Sequence, residues 1–218
     1  MYDETPLYEF RGPWGVPVQI GPSIVFLALI FVSFSSDPVD LYYNVIFLGL
    51  VVISIYLHEL GHAWGCLVQG VAVRRVMIYG GGGFCEHARP ASAREDELIV
   101  AMGPLVNLAV WAIAGLATPL MVDGDLAWAV QTLSWLNLYL AIFNMIPVMP
   151  LDGGRLFHLC MLRLFPGPIA LRVAGGVGLL CALAWIPLML FSFFAFGMVL
   201  LFIPPLLMHW RMLTGRLA

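Results

Sequence analysis

Ile53-Ser54-Ile55-Tyr56-Leu57-His58-Glu59-Leu60-Gly61-His62-Ala63-Trp64-Gly65-Cys66-Leu67-Val68 is the stretch on which the reading of this chain turns. It is apolar enough to lie in a bilayer, yet two histidines and a glutamate stand in its middle. Ionisable groups in a span cost about 2.5–3.5 kcal/mol or more each and are rarely present without a role. On a helix, positions four apart share one face, so the imidazoles of His58 and His62 can bind one zinc ion. Glu59, beside them, can then act as general base on the attacking water. Histidines satisfied by core hydrogen bonds at this spacing by chance are a poor account of so apolar a run.

The rest of the 218 residues agrees with a membrane setting. Apolar residues make up 61% and charged residues 11%, against roughly 45–50% and 25% in an average soluble protein. Mean hydropathy is +0.94. A soluble globule of this size could not cover its surface with so few charges, and a net charge of −3 excludes nucleic acid as a partner. The apolar runs are Pro22 to Phe34, Leu41 to Val68, Leu98 to Leu120, Leu126 to Val148 and Ile169 to Met208. The first is expected to begin near Val16, with Pro17 and Pro22 making its start irregular. The last is too long for one crossing, and Pro187 with Ser192 offers a place to split it. The expectation is six spans, with Arg155 to Phe165 as a short interfacial helix between Gly153-Gly154 and Pro166-Gly167-Pro168.

Basic residues set the orientation. All ten are arginines, and with six spans they fall on one side, while Asp37, Asp40, Asp123 and Asp125 fall on the other. Inside-facing loops carry the basic excess, which places both termini in the cytoplasm of what reads as a bacterial or archaeal cell membrane. The first twenty residues lack the basic start and apolar centre of a signal peptide, so no cleaved leader is expected. Between the second and third runs, Val71 to Tyr79 is rich in β-branched residues and Gly80 to Gly83 follow, which reads as a β-hairpin over about 71–86. No Lys-Ser or Lys-Thr follows the glycines, which argues against a phosphate-binding loop. The four cysteines form no C-x-x-C pair and read as small packing residues.

Two histidines leave zinc short of a third protein ligand. Glu86, Glu95, Asp96, Glu97, Asp152, His87, His158 and His209 are candidates. Asp152 stands out because it follows Asn144-Met145-Ile146-Pro147-Val148-Met149-Pro150-Leu151, where two prolines stop the helix, and precedes Gly153-Gly154. A carboxylate on unwound backbone can be aimed where a regular helix could not point it. His62 is about 12 Å from the inner end of its helix, so Asp152 reaches it only if that loop dips into the membrane. Glu95-Asp96-Glu97 opens the third span and reads as helix N-terminal charge.

The sequence resembles the site-2 protease family of intramembrane zinc metalloproteases. His58 to His62 is similar to that family's zinc helix, Asn144 to Gly154 to its N-x-x-P-x-P-x-L-D-G segment, and Met102-Gly103-Pro104-Leu105-Val106-Asn107 to the G-P-x-x-N element of its third core helix. The resemblance runs from about Val16 to Arg155. It implies an all-α polytopic membrane protein of about six transmembrane helices, with a three-helix catalytic core at about 41–155 and a small membrane-associated β-hairpin, the whole of 1–218 forming one transmembrane metalloprotease domain. His58, His62 and Asp152 would bind one zinc ion. Glu59 would polarise the attacking water and pass its proton to the leaving amine, and Asn144 would hold the substrate or the oxyanion. The partners implied are the lipid bilayer and a membrane-anchored protein whose transmembrane helix is cut. No segment is long or polar enough for the PDZ or CBS domains of several relatives, so substrate choice falls to the membrane core, its loops or a regulatory membrane partner.

Two other readings use the same residues. A metal transporter or channel would need a polar path across the outer halves of the spans, where Asn44, Gln131, Ser134 and Asn137 are the main candidates. A different membrane metallopeptidase would take Glu95 or Glu97 as third ligand. Cys66, four residues past His62, reads as a packing residue, His158 as interfacial, and His209 with Trp210 as part of the interfacial aromatic belt. Gly175, Gly176 and Gly178 are expected at a close helix contact.

Overall fold

The computed structural model describes residues 5–31, 37–196 and 202–216. These contain strands β1 (Tyr8–Arg11) and β2 (Pro17–Ile20), helices α1 (Ile24–Phe31) and α2 (Pro38–Val68), strands β3 (Val73–Tyr79) and β4 (Gly82–His87), and helices α3 (Ala93–Ala117), α4 (Gly124–Asn144), α5 (Asp152–Leu164), α6 (Gly167–Phe196) and α7 (Leu206–Thr214). The chain divides into two compact units, residues 1–141 and 142–218.

Among the described residues, four helices are long and apolar enough to cross a membrane: Pro38–Val68, Ala93–Leu120, Gly124–Asn144 and Gly167–Phe191. The apolar runs of the sequence account for all four. Six crossings were expected. Of the first expected span, Ile24–Phe31 is helical and 32–34 lie outside the described residues, as do 197–201 in the last stretch. The expected break at Pro187 and Ser192 is not there, because α6 continues through both to Phe196. A proline within an apolar helix is tolerated where neighbouring groups satisfy the freed carbonyl.

In the first unit, α2 is started by Asp37, whose carboxylate accepts from the Val39 amide, with Pro38 at the first helical position. α3 begins with a capping box in which Ser92 and Glu95 satisfy each other's backbone amides, and Arg89 pairs with Glu95 at 2.7 Å. Glu95 and Asp96 thus lie in the first turn of α3, as expected of them, and Glu95 is committed to the cap. α2 and α3 pack closely because Gly61 and Gly65 leave room. A Cβ on Gly61 would lie 2.6 Å from the Met102 carbonyl oxygen, and one on Gly65 would lie 3.0 Å from Ile99 Cα.

The expected hairpin is one half of a four-stranded sheet in the order β1-β2-β3-β4. β1 pairs antiparallel with β2, β2 parallel with β3, and β3 antiparallel with β4. Residues near Val16, expected to open the first span, instead form β2, and Tyr8 and Phe10 lie on β1. Four-residue strands carry too little pattern to be seen until a partner strand satisfies their backbone. One side of the sheet packs Val16, Val18, Val76 and Ile78 on Ala63 of α2. Across the strands runs a polar row in which Gln19 donates to Glu9, and Arg75 donates to Gln19 and Glu86. Partial desolvation pushes the Glu86 carboxyl up, but the Arg75 and Arg74 guanidinium groups outweigh it and hold it below the usual carboxylate range.

In the second unit, α4 ends at Asn144 and the backbone turns through 145–151 before α5 starts at Asp152. The sequence reading began the short helix at Arg155, with Gly153-Gly154 as the turn. Both glycines instead lie in the first turn of α5. A Cβ on Gly153 would fall 2.3 Å from the Met145 carbonyl, and one on Gly154 would fall 2.5 Å from the Val148 carbonyl carbon. Their role is to let the proline-containing loop fold back against the helix. α6 and α7 meet where Gly175 and Gly178 admit Met212 and His209, as expected of these glycines, but His209 is 1% exposed rather than interfacial.

Candidate metal centre

α2 presents His58, Glu59 and His62 within little more than one turn, all of them buried. The two Nε2 atoms face each other at 3.1 Å, with the rings nearly perpendicular at 87°. Two Zn–N bonds of the usual length at a tetrahedral angle would separate their nitrogens by about 3.4 Å. Each Nδ1 is held by an oxygen that can only accept. His58 Nδ1 donates to Asn107 Oδ1 at 2.5 Å, and His62 Nδ1 donates to the Ile99 carbonyl at 2.8 Å. Both Nδ1 atoms therefore carry the proton, and both Nε2 lone pairs are left toward the same place. That is the arrangement of metal-ligating imidazoles, each oriented through its other nitrogen.

The space beside these nitrogens is kept open by a glycine. A Cβ on Gly103 of α3 would lie 2.5 Å from His62 Nε2 and 2.8 Å from His58 Cε1. The donor set suits zinc, being two neutral imidazoles and a carboxylate. His58 and His62 lie on α2 in the first unit, and Asp152 lies in the second. Asp152 is the first residue of α5, not a residue of unwound backbone. The irregular segment ends one position earlier, and the carboxylate sits at the positive end of a helix.

Glu59 is overlain by β4. A Cβ on Gly83 would lie 2.6 Å from Glu59 Cγ, so the glycine run gives close approach of a strand to this side chain. β4 is an edge strand, and a cavity of about 550 Å³ lined by Tyr79, Phe84, Cys85, Glu86 and His87 lies along it. β3, the other strand of the hairpin, is paired on both sides.

Several of the other sequence candidates have partners elsewhere. Glu86 binds Arg74 and Arg75, Glu95 caps α3, and His87 Nδ1 contacts the Arg89 carbonyl. His158 lies on α5, partly buried, and that burial pushes its imidazole below the ordinary histidine value. Cys66 packs with Val71 and Ile99. Cys85 is held protonated by the neighbouring Cys66 thiol and by burial, both of which raise its ionisation well above the thiol range. Asn144 is the last residue of α4.

Three contributors were not singled out for this purpose from sequence. Gly103 and Asn107 drew notice only as part of a family-like segment. Asn137 was weighed as a lining residue of a polar path. The available signal was an amide in each of two apolar spans, which demands a buried partner. The structure supplies that partner, because Asn107 and Asn137 bond to each other.

Residues 120–185 match the model of peptidase family M50. A zinc metalloprotease of Methanocaldococcus jannaschii is 25% identical over 191 residues, covering 87% of this chain and 55% of the relative. Rip3 of Mycobacterium tuberculosis is 32% identical over 160 residues, covering 69% of this chain and 40% of the relative. The chain thus spans about half the length of these curated relatives. Among solved structures, the site-2 protease from Methanocaldococcus jannaschii superposes with a TM-score of 0.64 at 21% identity, covering 95% of this chain and 92% of that one.

Proposed function

We propose that this chain, whose residues 120–185 match peptidase family M50 and whose fold is similar to that of a site-2 protease, is an intramembrane zinc metalloprotease that cleaves transmembrane segments of membrane-anchored proteins near the cytoplasmic face. The observation that carries the reading is the pair of buried imidazoles whose Nε2 atoms converge beside Glu59, on a helix long and apolar enough to cross a membrane. His58, His62 and Asp152 would hold the ion. Zinc held there would supply Lewis-acid activation of water and of the scissile carbonyl. Glu59 takes the proton of the attacking water and passes it to the leaving amine. Asn144 is assigned the holding of the substrate or of the developing oxyanion.

Hydrolysis needs an extended peptide, so the substrate helix must unwind. The sequence reading offered Val71 to Tyr79 or its neighbour as the strand that receives it. β3 is interior to the sheet and β4 is its edge, which favours β4 as the acceptor by strand addition. Gly83 on that strand lies against Glu59, so a segment laid along β4 would run beside the general base.

The test is comparative proteomics of membrane fragments from cells carrying wild type or Glu59→Ala. Fragments cut within a transmembrane segment are expected only with wild type, while bound zinc is the same in both. Equal fragments in the two would overturn the reading. For the ligand set, Asp152→Ala is expected to lose zinc and Glu97→Ala to keep it. The reverse result would move the third ligand to α3.

A further inference from the structure

His58 Nδ1 is the first link of a buried chain of hydrogen bonds that crosses three helices. Asn107 Oδ1 accepts from His58 Nδ1, and Asn107 Nδ2 donates to Asn137 Oδ1 at 2.7 Å and to the Ser54 carbonyl at 3.4 Å. Asn137 Nδ2 in turn donates to Ser54 Oγ at 2.9 Å and to the Leu133 carbonyl at 2.8 Å. Ser54 Oγ donates to the Leu50 carbonyl at 2.7 Å. Ser54, Asn107 and Asn137 are each 0% exposed, and every hydrogen on the two amides and the hydroxyl has an acceptor.

The chain has a direction, and that direction matters for the metal. The Leu50 and Leu133 carbonyls can only accept. The first fixes the Ser54 proton away from Asn137, and the second fixes the Asn137 amide hydrogens on its far side. Asn137 Oδ1 then faces Asn107 and can only accept, so the Asn107 amide cannot flip without opposing two oxygens. With Asn107 held, its Oδ1 faces His58 and demands a proton on Nδ1. A flipped Asn107 would instead offer hydrogens to Nδ1 and drive the imidazole proton to Nε2, removing the lone pair a metal needs.

We infer that Asn137 and Ser54 are positioning residues for the metal centre: through Asn107 they transmit the polarity of two backbone carbonyls to His58 and hold it in the tautomer that binds zinc through Nε2. The inference rests on the reading of His58 as a ligand. It places an α4 residue and a serine one turn before His58 in the machinery of the site without either touching the ion. It also gives the polar groups of the spans a use other than a transport path.

The test is zinc affinity of the purified full chain in detergent, by competition with a chromophoric chelator, together with the visible spectrum of the Co²⁺-substituted protein. Asn137→Leu is expected to weaken zinc binding about 10–100-fold and to change the Co²⁺ spectrum, the size of loss usual for groups that orient a ligand. Ser54→Ala should give a smaller loss in the same direction, and it carries the test if Asn137→Leu does not fold. Ser134→Ala is the control, because Ser134 also ties α4 to α3 through the Trp111 carbonyl but has no link to His58. It should bind zinc like wild type. Wild-type affinity and spectrum in the two relay variants, or an equal loss in Ser134→Ala, would overturn the inference. His58→Ala separates the two levels. Unchanged zinc in that variant, or no zinc in wild type, would overturn the ligand reading and the relay together; zinc lost in His58→Ala but retained in both relay variants would overturn the relay alone.

Discussion

At the scale of single residues, the centre depends on atoms that are absent as much as on those present. Gly103 faces both imidazoles at distances no Cβ tolerates. The neighbours cannot yield easily, because each imidazole is tethered at Nδ1 and Gly103 lies in the middle of α3, which packs on α2. Gly103→Ala is therefore expected to displace at least one ligand and weaken zinc binding by about 10–100-fold while circular dichroism stays that of a helical protein. Zinc titration of the purified variant checks this, and wild-type affinity would count against the packing described. Much at this scale was readable beforehand. The spacing of His58, Glu59 and His62 has a chemical cause that survives without coordinates. The need for glycine at 103 does not, since it is set by a neighbour 41 positions away.

At the scale of elements, the sheet edge and the α6–α7 contact each make a separate expectation. Successive residues of a strand turn their amides to opposite sides, so of Phe84→Pro and Cys85→Pro one removes an amide facing β3 and the other removes one facing outward from β4. The outward one should leave zinc content intact and still lower cleavage. Loss of a single strand-addition hydrogen bond and the unpaired group it leaves amounts to about 1–3 kcal/mol, or roughly tenfold and more in rate. Full cleavage by both variants would argue against β4 as the acceptor. On α6, a methyl group at Gly178 would lie 2.2 Å from the buried imidazole of His209. Gly178→Ala is expected to destabilise the α6–α7 pair by about 1–3 kcal/mol, as overpacked cores do, seen as a lower thermal midpoint in detergent. An unchanged midpoint would mean that His209 can swing away. The element reading from sequence succeeded for long apolar helices and failed for β1 and β2, because a four-residue strand has no period long enough to detect.

At the scale of the whole molecule, scarcity of charge acquires a structure. Eleven percent charged residues first marks the chain as a membrane protein. The described residues then show what some of those charges do: Arg75 and Glu86 tie the sheet, Arg89 and Glu95 fix the start of α3, and Glu59 stands at the centre. The arginine distribution predicts that the segment after Thr214 faces the cytoplasm. A green fluorescent protein fused there should fluoresce, and an alkaline phosphatase fused at the same point should be inactive. The opposite pair of results would reverse the orientation and move the proposed cleavage to the other face.

By itself the sequence determined the membrane setting, the apolar runs that become the four long helices among the described residues, and the spacing that puts His58 and His62 on one face of α2. Each of these is local or additive: hydropathy sums over a window, and helical periodicity brings His58 and His62 to one face wherever the helix lies. Only the tertiary structure decided that the hairpin belongs to a four-stranded sheet with β4 at its edge, that Gly103 clears the space beside His58 and His62 and Gly83 the space beside Glu59, and that Asn107 and Asn137 bond to each other and thereby to His58. These contacts join residues tens of positions apart, and their partners become known only once packing has chosen which faces of α2, α3 and α4 meet.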